Sequence, residues 1–331
     1  GKPELDAWPE DASWELIGDP ATSQMIETES DGEGEEQVTV AASMHLLSLS
    51  DAAATDIGCQ RQHNEDYFGV ETQIKKRANP HWTTVTARGL YIICDGMGGH
   101  AAGEVASTMA VDALQQYFQT YWQGELPDGD TIREGVLLAN QKIYQLNREK
   151  GGSGTQRMGT TLVMALVQDT QVAIAHVGDS RLYRVTRKRG IEQLTSDHEV
   201  GQQAILQGIA PDIAYAHPHA YQLTQALGPR DNDFVKPDIQ FLDINEDTLL
   251  LLCSDGLSDN DLLETYGETY LNPLISSQAD LQQGLCQLID FANQYNGHDN
   301  ITGVVVRVKV QPIFEQEPKG RETEKIIDAG K

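Results

Sequence analysis

The sequence predicts an α+β fold, two sheets with helices outside them rather than alternating βαβ units. Three observations carry that prediction. Apolar strand-like runs come in clusters, with two long amphipathic helices between one cluster and the next. The runs 160–167 and 171–177 are separated by little more than Asp169 and Thr170, the spacing of a hairpin rather than a crossover. A final apolar run, 301–310, follows a second pair of helices.

In chain order, residues 1–45 read as an acidic linker or tail. Twelve acidic residues from Glu4 to Glu36 stand against Lys2, so this stretch supplies −11 of the formal −26. Segment 27–36, ETESDGEGEE, is too charged and too poor in apolar residues to fold alone. Trp8 and Trp14 are its exceptions, able to dock on a neighbour or to stand exposed in a linker. From Met44 the composition turns globular. HLLSLSDAAATDIG predicts a strand, RQHNED a loop and YFGVET a second strand. Residues 72–88 are basic and contain Pro80, as in a surface hairpin extension. Leu90 to Cys94 then form a buried strand ending at Asp95 and a Gly-Met-Gly-Gly turn.

The next helix has Val105, Met109, Ala113, Tyr117 and Phe118 at core-facing spacing, and its successor has Ile132, Val136, Ala139, Ile143 and Leu146. After the 160–177 hairpin come Gly178-Asp179-Ser180-Arg181, a strand, a solvated basic turn at Arg187-Lys188-Arg189, and a further strand. Segment 197–223, with Pro211, Pro218, His198, His217 and His219, begins helical and becomes irregular. Strands IQFLDI and TLLLLCS bracket the turn Asn245-Glu246-Asp247. Two helices follow over 258–296, and Gly297-His298-Asp299-Asn300 leads into the last strand. Residues 311–331 read as a polar tail.

Composition excludes some functions. With 50 Asp+Glu against 24 Lys+Arg, the chain is a poor match for nucleic acid or an anionic membrane surface. Cys59, Cys94, Cys253 and Cys286 make no CxxC pair, which suits a reducing, cytoplasmic compartment. No run approaches the ~20 apolar residues of a membrane span. No signal peptide is legible, and the opening Gly1 suggests a piece of something longer.

Chemistry concentrates in aspartates at strand ends: Asp95-Gly96, Asp255-Gly256, Asp299-Asn300, Asp179 after Gly178, and the pair Glu65-Asp66. Each alone reads as a turn residue. Gathered at one edge of stacked strands, they could not all stay ionised without a compensating cation. An all-oxygen set suits magnesium or manganese, and no Cys/His set competes for zinc.

The motifs RQHNED, DGMGGHAAGE, GTT, VGDSR, LTSDH, LTQALG, CSDGLSD and HDNIT occur in this order over about residues 46–310. Together they resemble the metal-dependent protein phosphatases of the type 2C family in their bacterial form. The resemblance implies a four-layer α-β-β-α sandwich of two mainly antiparallel sheets flanked by helices, with a flap at about 197–223. It implies two magnesium or manganese ions, and the third, weaker one of many relatives. Asp95 would bridge two ions and the Gly96 carbonyl would add a ligand. Asp255 and Asp299 would complete one shell, largely through water, and Glu65 and Asp66 match the family's acidic pair, directly or through water. Asp179 and Asp259 match the third-metal positions, and Arg61 the arginine that grips the phosphate. A surface ion pair of Arg61 with Glu65, four residues on, is the alternative for that side chain.

The implied activity is hydrolysis of phosphoserine and phosphothreonine in proteins by in-line attack of a metal-bridging hydroxide. The enzyme would be a monomer opposing a serine/threonine kinase. Relatives with histidine after Asp-Gly use it as a general acid; here Met97 stands there, so His100, His63 or metal-bound water would protonate the leaving group. The competing function is a phosphatase-fold binding module, catalytically weak or inactive, that acts as a signalling scaffold.

Overall fold

A computed structural model describes residues 43–78, 83–98, 102–151 and 157–313 of the chain. One sheet has the order β1–β11–β10–β7–β8: β1 (Met44–Asp56), β11 (Ile301–Pro312), β10 (Thr248–Cys253), β7 (Arg181–Thr186) and β8 (Gly190–Gln193). The other runs β2–β3–β5–β6–β9: β2 (Asp66–Ala78), β3 (Thr83–Met97), β5 (Leu162–Gln168), β6 (Gln171–Val177) and β9 (Asp238–Asp243), with the short β4 (Gly159–Thr160) beside β3. Every pairing is antiparallel.

The period-2 alternation of strands sorts the side chains into three cores. Tyr91 and Ile93 of β3 join Val163, Ala165, Val304 and Val306 between the sheets. Leu90, Ile92 and Cys94 point the other way, under α1 (Ala102–Tyr121) and α2 (Gly129–Glu149). Leu249, Leu251 and Val305 meet α6 (Leu262–Leu271) and α7 (Leu281–Tyr295) on the opposite outer face. The result is the four-layer α-β-β-α sandwich. Each fully buried Leu or Ile contributes roughly 1.5–3 kcal/mol. Between β8 and β9 lie α3 (Val200–Leu206) and α4 (Pro211–Ala214), and α5 (Asp255–Ser258) follows β10 directly.

Two local readings are corrected. On α1 Ala113, Tyr117 and Phe118 are buried as expected, joined by Ala106, Ala110, Val111 and Leu114, whereas Met109 is only half-buried and Val105 is 37% exposed. In the first turns small residues, Gly103 and Ala106, take the place of Val105, because the helix approaches the strand closely there: a Cβ on Gly96 would lie 2.1 Å from the Gly103 carbonyl oxygen. The apolar run after Gly159 is also two strands, broken at Thr161.

The hairpin over 72–88 extends through β2 and β3, its tip 79–82 lying outside the described residues. Residues 1–42 and 314–331 also lie outside them, and with them most of the two tail assignments; β1 and β11 run two residues beyond the 46–310 bounds. Among the described residues no helix is long and apolar enough to cross a membrane, and all four cysteines are free thiols.

Candidate metal centre

Antiparallel register brings distant carboxylates to one pole of the sandwich. Asp66 opens β2 directly opposite Asp95 near the end of β3. Asp255 follows the end of β10, and Asp299 precedes β11, whose Gly303 pairs with Cys253. Asp66, Asp255 and Asp299 are all buried.

The backbone around these groups is held at many points. Asp95 donates its N–H to Thr161 Oγ1 (3.1 Å), and its carbonyl accepts from Thr161 N (2.9 Å) and Thr160 Oγ1 (2.9 Å). The break between β4 and β5 makes this grip possible. The Glu65 carbonyl accepts from Gly96 N (3.0 Å) and Ser107 Oγ (2.7 Å), and its N–H donates to Asn300 Oδ1 (2.8 Å). Asn300 Nδ2 donates in turn to the Ile57 and His63 carbonyls, both at 2.9 Å. A Cβ on Gly256 would lie 2.0 Å from the Asn300 carbonyl oxygen, so only glycine lets this loop close. Asn300, Ser254, Thr302, Thr160 and Thr161 were not singled out from sequence, although HDNIT and GTT contain most of them.

Asp66 is the central electrostatic observation. Its Oδ2 accepts from Ser254 Oγ (2.7 Å) and Thr302 Oγ1 (2.6 Å), while Oδ1 is buried without a hydrogen-bond partner. Burial, joined by the charges of Asp255 and Asp299 and opposed by the two hydroxyls, pushes its carboxyl up to about 7. Burial likewise raises Glu65, with Arg61 opposing and Asp299 reinforcing the shift.

Arg61 pairs with Asp299, Nη2 to Oδ2 at 2.7 Å, rather than making its ion pair with Glu65; its side chain stays 42% exposed. Burial opposes its charge, but Asp299, then Asp95 and Glu65, hold the guanidinium above its usual range. Asp299 Oδ1 accepts from the Asn300 N–H at 2.8 Å. Arg61, Glu65, Asp66, Asp95, Gly96, Asp255 and Asp299 are thus brought together.

Asp179 and Asp259 engage other neighbours. Asp179 is buried on the β6–β7 turn, where it and Asp197 add to the burial that pushes Glu199 up to about 8. Glu199, which sequence reasoning missed, accepts from Tyr215 Oη at 3.2 Å. Asp259 Oδ2 lies 3.2 Å from His298 Nε2. His100 lies outside the described residues.

One histidine group does exist. Ligand atoms of His176, His198 and Asp238 lie within 4.8 Å of one another. Its protons make it a brace rather than a zinc site. His176 Nε2 is 2.8 Å from the Ser196 carbonyl, so that nitrogen carries the proton. His198 Nδ1 accepts from Gly178 N (3.0 Å), which leaves Nε2–H facing Asp238 Oδ2 (3.2 Å). A ligating histidine normally donates through its other nitrogen, and His198 accepts there.

The carboxylates at the pole are a different set, all oxygen and coupled through their charges. Their oxygens are hard donors, and the orphaned Asp66 Oδ1 sits among like charges. The residues present fit hard divalent cations.

The family model for protein phosphatase 2C matches residues 61–297. The chain belongs to the protein phosphatase 2C family. Protein phosphatase PhpP of Streptococcus pneumoniae is 33% identical over 257 residues, 76% of this chain and 94% of the relative. Serine/threonine phosphatase Stp of Listeria monocytogenes is 34% identical over 258 residues, 76% and 93% respectively. The Mycobacterium tuberculosis serine/threonine phosphatase PstP/Ppp superposes with a TM-score of 0.62 at 30% identity, covering 79% of this chain and 99% of that one. A PstP catalytic domain in complex with two manganese ions gives 0.59 at 30% identity, covering 81% and 100%. Membership in this 2C family makes the chain a metal-dependent phosphoprotein phosphatase.

Proposed function

We propose that the chain hydrolyses phosphoserine and phosphothreonine in proteins with two magnesium or manganese ions at the carboxylate pole. Asp95, the Gly96 carbonyl, Glu65, Asp66, Asp255 and Asp299 would hold them, and Asp179 and Asp259 a third, weaker ion. When bound, such ions lower the pKa of coordinated water and offset charge on the phosphoryl oxygens. Arg61 binds two phosphoryl oxygens through its planar fork, and Asp299 aims it. Ser254 and Thr302 donate to Asp66 and favour its ionised form; Asn300 and Thr161 fix the backbone that presents the acids. Water adds to phosphorus, the P–O bond to the side chain breaks, and the departing alkoxide takes up a proton, for which His100 is the proposed donor.

The observation that carries this reading is Asp66: a buried carboxylate beside two others, bonded by hydroxyls and, among the described residues, by no cationic side chain. The names of the relatives support serine and threonine as the phosphorylated side chains, and an opposing kinase follows from that chemistry. A cytoplasmic, monomeric enzyme is part of the proposal, and the free thiols suit a reducing compartment. The test is hydrolysis of para-nitrophenyl phosphate and a phosphothreonine peptide with and without manganese. Turnover that depends on the metal and disappears in Asp255→Asn supports the proposal; metal-independent turnover, or none, defeats it. His100→Ala should slow substrates with poor leaving groups selectively; equal slowing of all removes His100 from that role.

A further inference from the structure

The pole opposite the carboxylates carries exposed positive charge. β2 and β3 outrun their sheet there. The last cross-strand row shared by the sheet passes through Arg88, Gln168, Gln171 and Asp243, and the β5–β6 turn grips the hairpin at Ala87, Asp169 N donating to its carbonyl at 2.9 Å. Beyond Ala87 the ribbon continues to the Ala78–Thr83 pair, an overhang of roughly 13 Å at ~3.3 Å per residue. On it Lys75, Lys76 and Arg77 are consecutive and exposed, so Lys75 and Arg77 share one face and Lys76 takes the other. Among the described residues no ion pair holds any of the three. Lysines can guard an edge strand such as β2 against pairing, but three adjacent cations on both faces of a chain at −26 also form a landing place for acid.

The chain itself supplies the acid at this pole. β1 starts at Met44, which packs in the same inter-sheet cluster as Val85 and Ala87 of the hairpin. The Met44 end of β1 therefore lies at the overhang's pole, the end where Asp56 pairs with Ile301 lying next to Asp299. The most acidic stretch before β1, 27–36, has six carboxylates and no cation. Seven residues lie between Glu36 and Met44, so the eight Cα–Cα steps span up to ~26–29 Å and reach the whole overhang. Covalent attachment over so few residues holds the segment at an effective concentration of about a millimolar, which favours it over acidic partners arriving from solution.

We propose that residues 27–36 dock electrostatically on the basic β2–β3 hairpin at Lys75, Lys76 and Arg77. The contact lies at the pole away from the metal centre, so it covers a charged surface without closing the active site. It is independent of the phosphatase reading.

The test uses the full chain with a nitroxide on Ser30→Cys, the exposed Cys59 and Cys286 replaced by serine, and backbone amide spectra. The expected result is loss of the amide signals of Thr84, Val85 and Thr86 with those of Lys75–Arg77. The signals should return at ~1 M sodium chloride, where the screening length is ~3 Å. The Thr84–Thr86 signals should also return in K75E/K76E/R77E and in the milder K75Q/K76Q/R77Q, with phosphatase turnover unchanged in both. Remaining amide signals report that each variant is folded. Broadening at Arg187–Arg189 instead, an even spread, no broadening, or broadening removed by dilution into unlabelled chain would each overturn the proposal, the last by making a second copy the occupant.

Discussion

Asp197 and Asp66 are buried to nearly the same depth, 7% and 6% exposed, and are met in opposite ways. Asp197 receives a guanidinium: Arg181 Nε donates to its Oδ1 and Oδ2 at 3.1 and 3.0 Å, and Nη2 to Oδ2 at 2.7 Å. Asp66 receives two hydroxyls, keeps one oxygen unpartnered, and feels two further aspartates. Among the described residues the fold brings a bidentate arginine to one buried carboxylate and none to the other. The difference supports the proposal that the cation at the second place is supplied from outside the chain.

Breaking each side of this comparison gives separate outcomes. The largest belongs to the carboxylate pole: Asp255→Asn should lower manganese-dependent hydrolysis by about a thousandfold or more, with the far-ultraviolet spectrum unchanged. On the Asp197 side, Arg181→Met strands a buried charge and should destabilise the fold by about 3 kcal/mol, read as a lower denaturant midpoint, with a much smaller effect on metal affinity. Arg61 lies between the two cases, half-exposed and already on Asp299. Arg61→Ala should raise KM by about 10–100-fold, the value of a charge-assisted bond of ~1.5–3 kcal/mol, and Arg61→Lys should recover only part of it.

The remaining effect is one of pH. Asp66 has its folded pKa raised to about 7 from an ordinary 3.8, so the folded metal-free chain holds a proton there that the unfolded chain has released. That contribution to stability is complete below about pH 4 and is lost as pH rises through about 7. Thermal melts of metal-free protein should therefore fall across this window, Asp66→Asn should flatten the slope, and manganese should reverse it.

Much of this architecture was legible in the chain, because strand alternation and Asp-Gly punctuation are local signals. The hairpin at Asp169, the helix pairs and the strand-end acids are all of this kind. What escaped depends on contacts that sequence spacing does not encode. Arg61 has Glu65 four residues away, yet its partner Asp299 arrives through β11, 238 residues on. The buried line of α1 shifted in its first turns because close packing on β3 selects Gly103 and Ala106 over larger neighbours. Ser254 and Thr302 look like ordinary strand-end hydroxyls until register places both on Asp66. Glu199 and the His176–His198–Asp238 brace exist only once the segment after β8 folds back onto β6 and β9.

The most direct measurement is a calorimetric titration of manganese into the metal-free full chain at neutral pH, repeated with Asp66→Asn and Asp255→Asn. Two bound ions with proton release, weakened in both variants, is the predicted result. A folded wild-type chain that takes up no manganese at this pole would contradict the account.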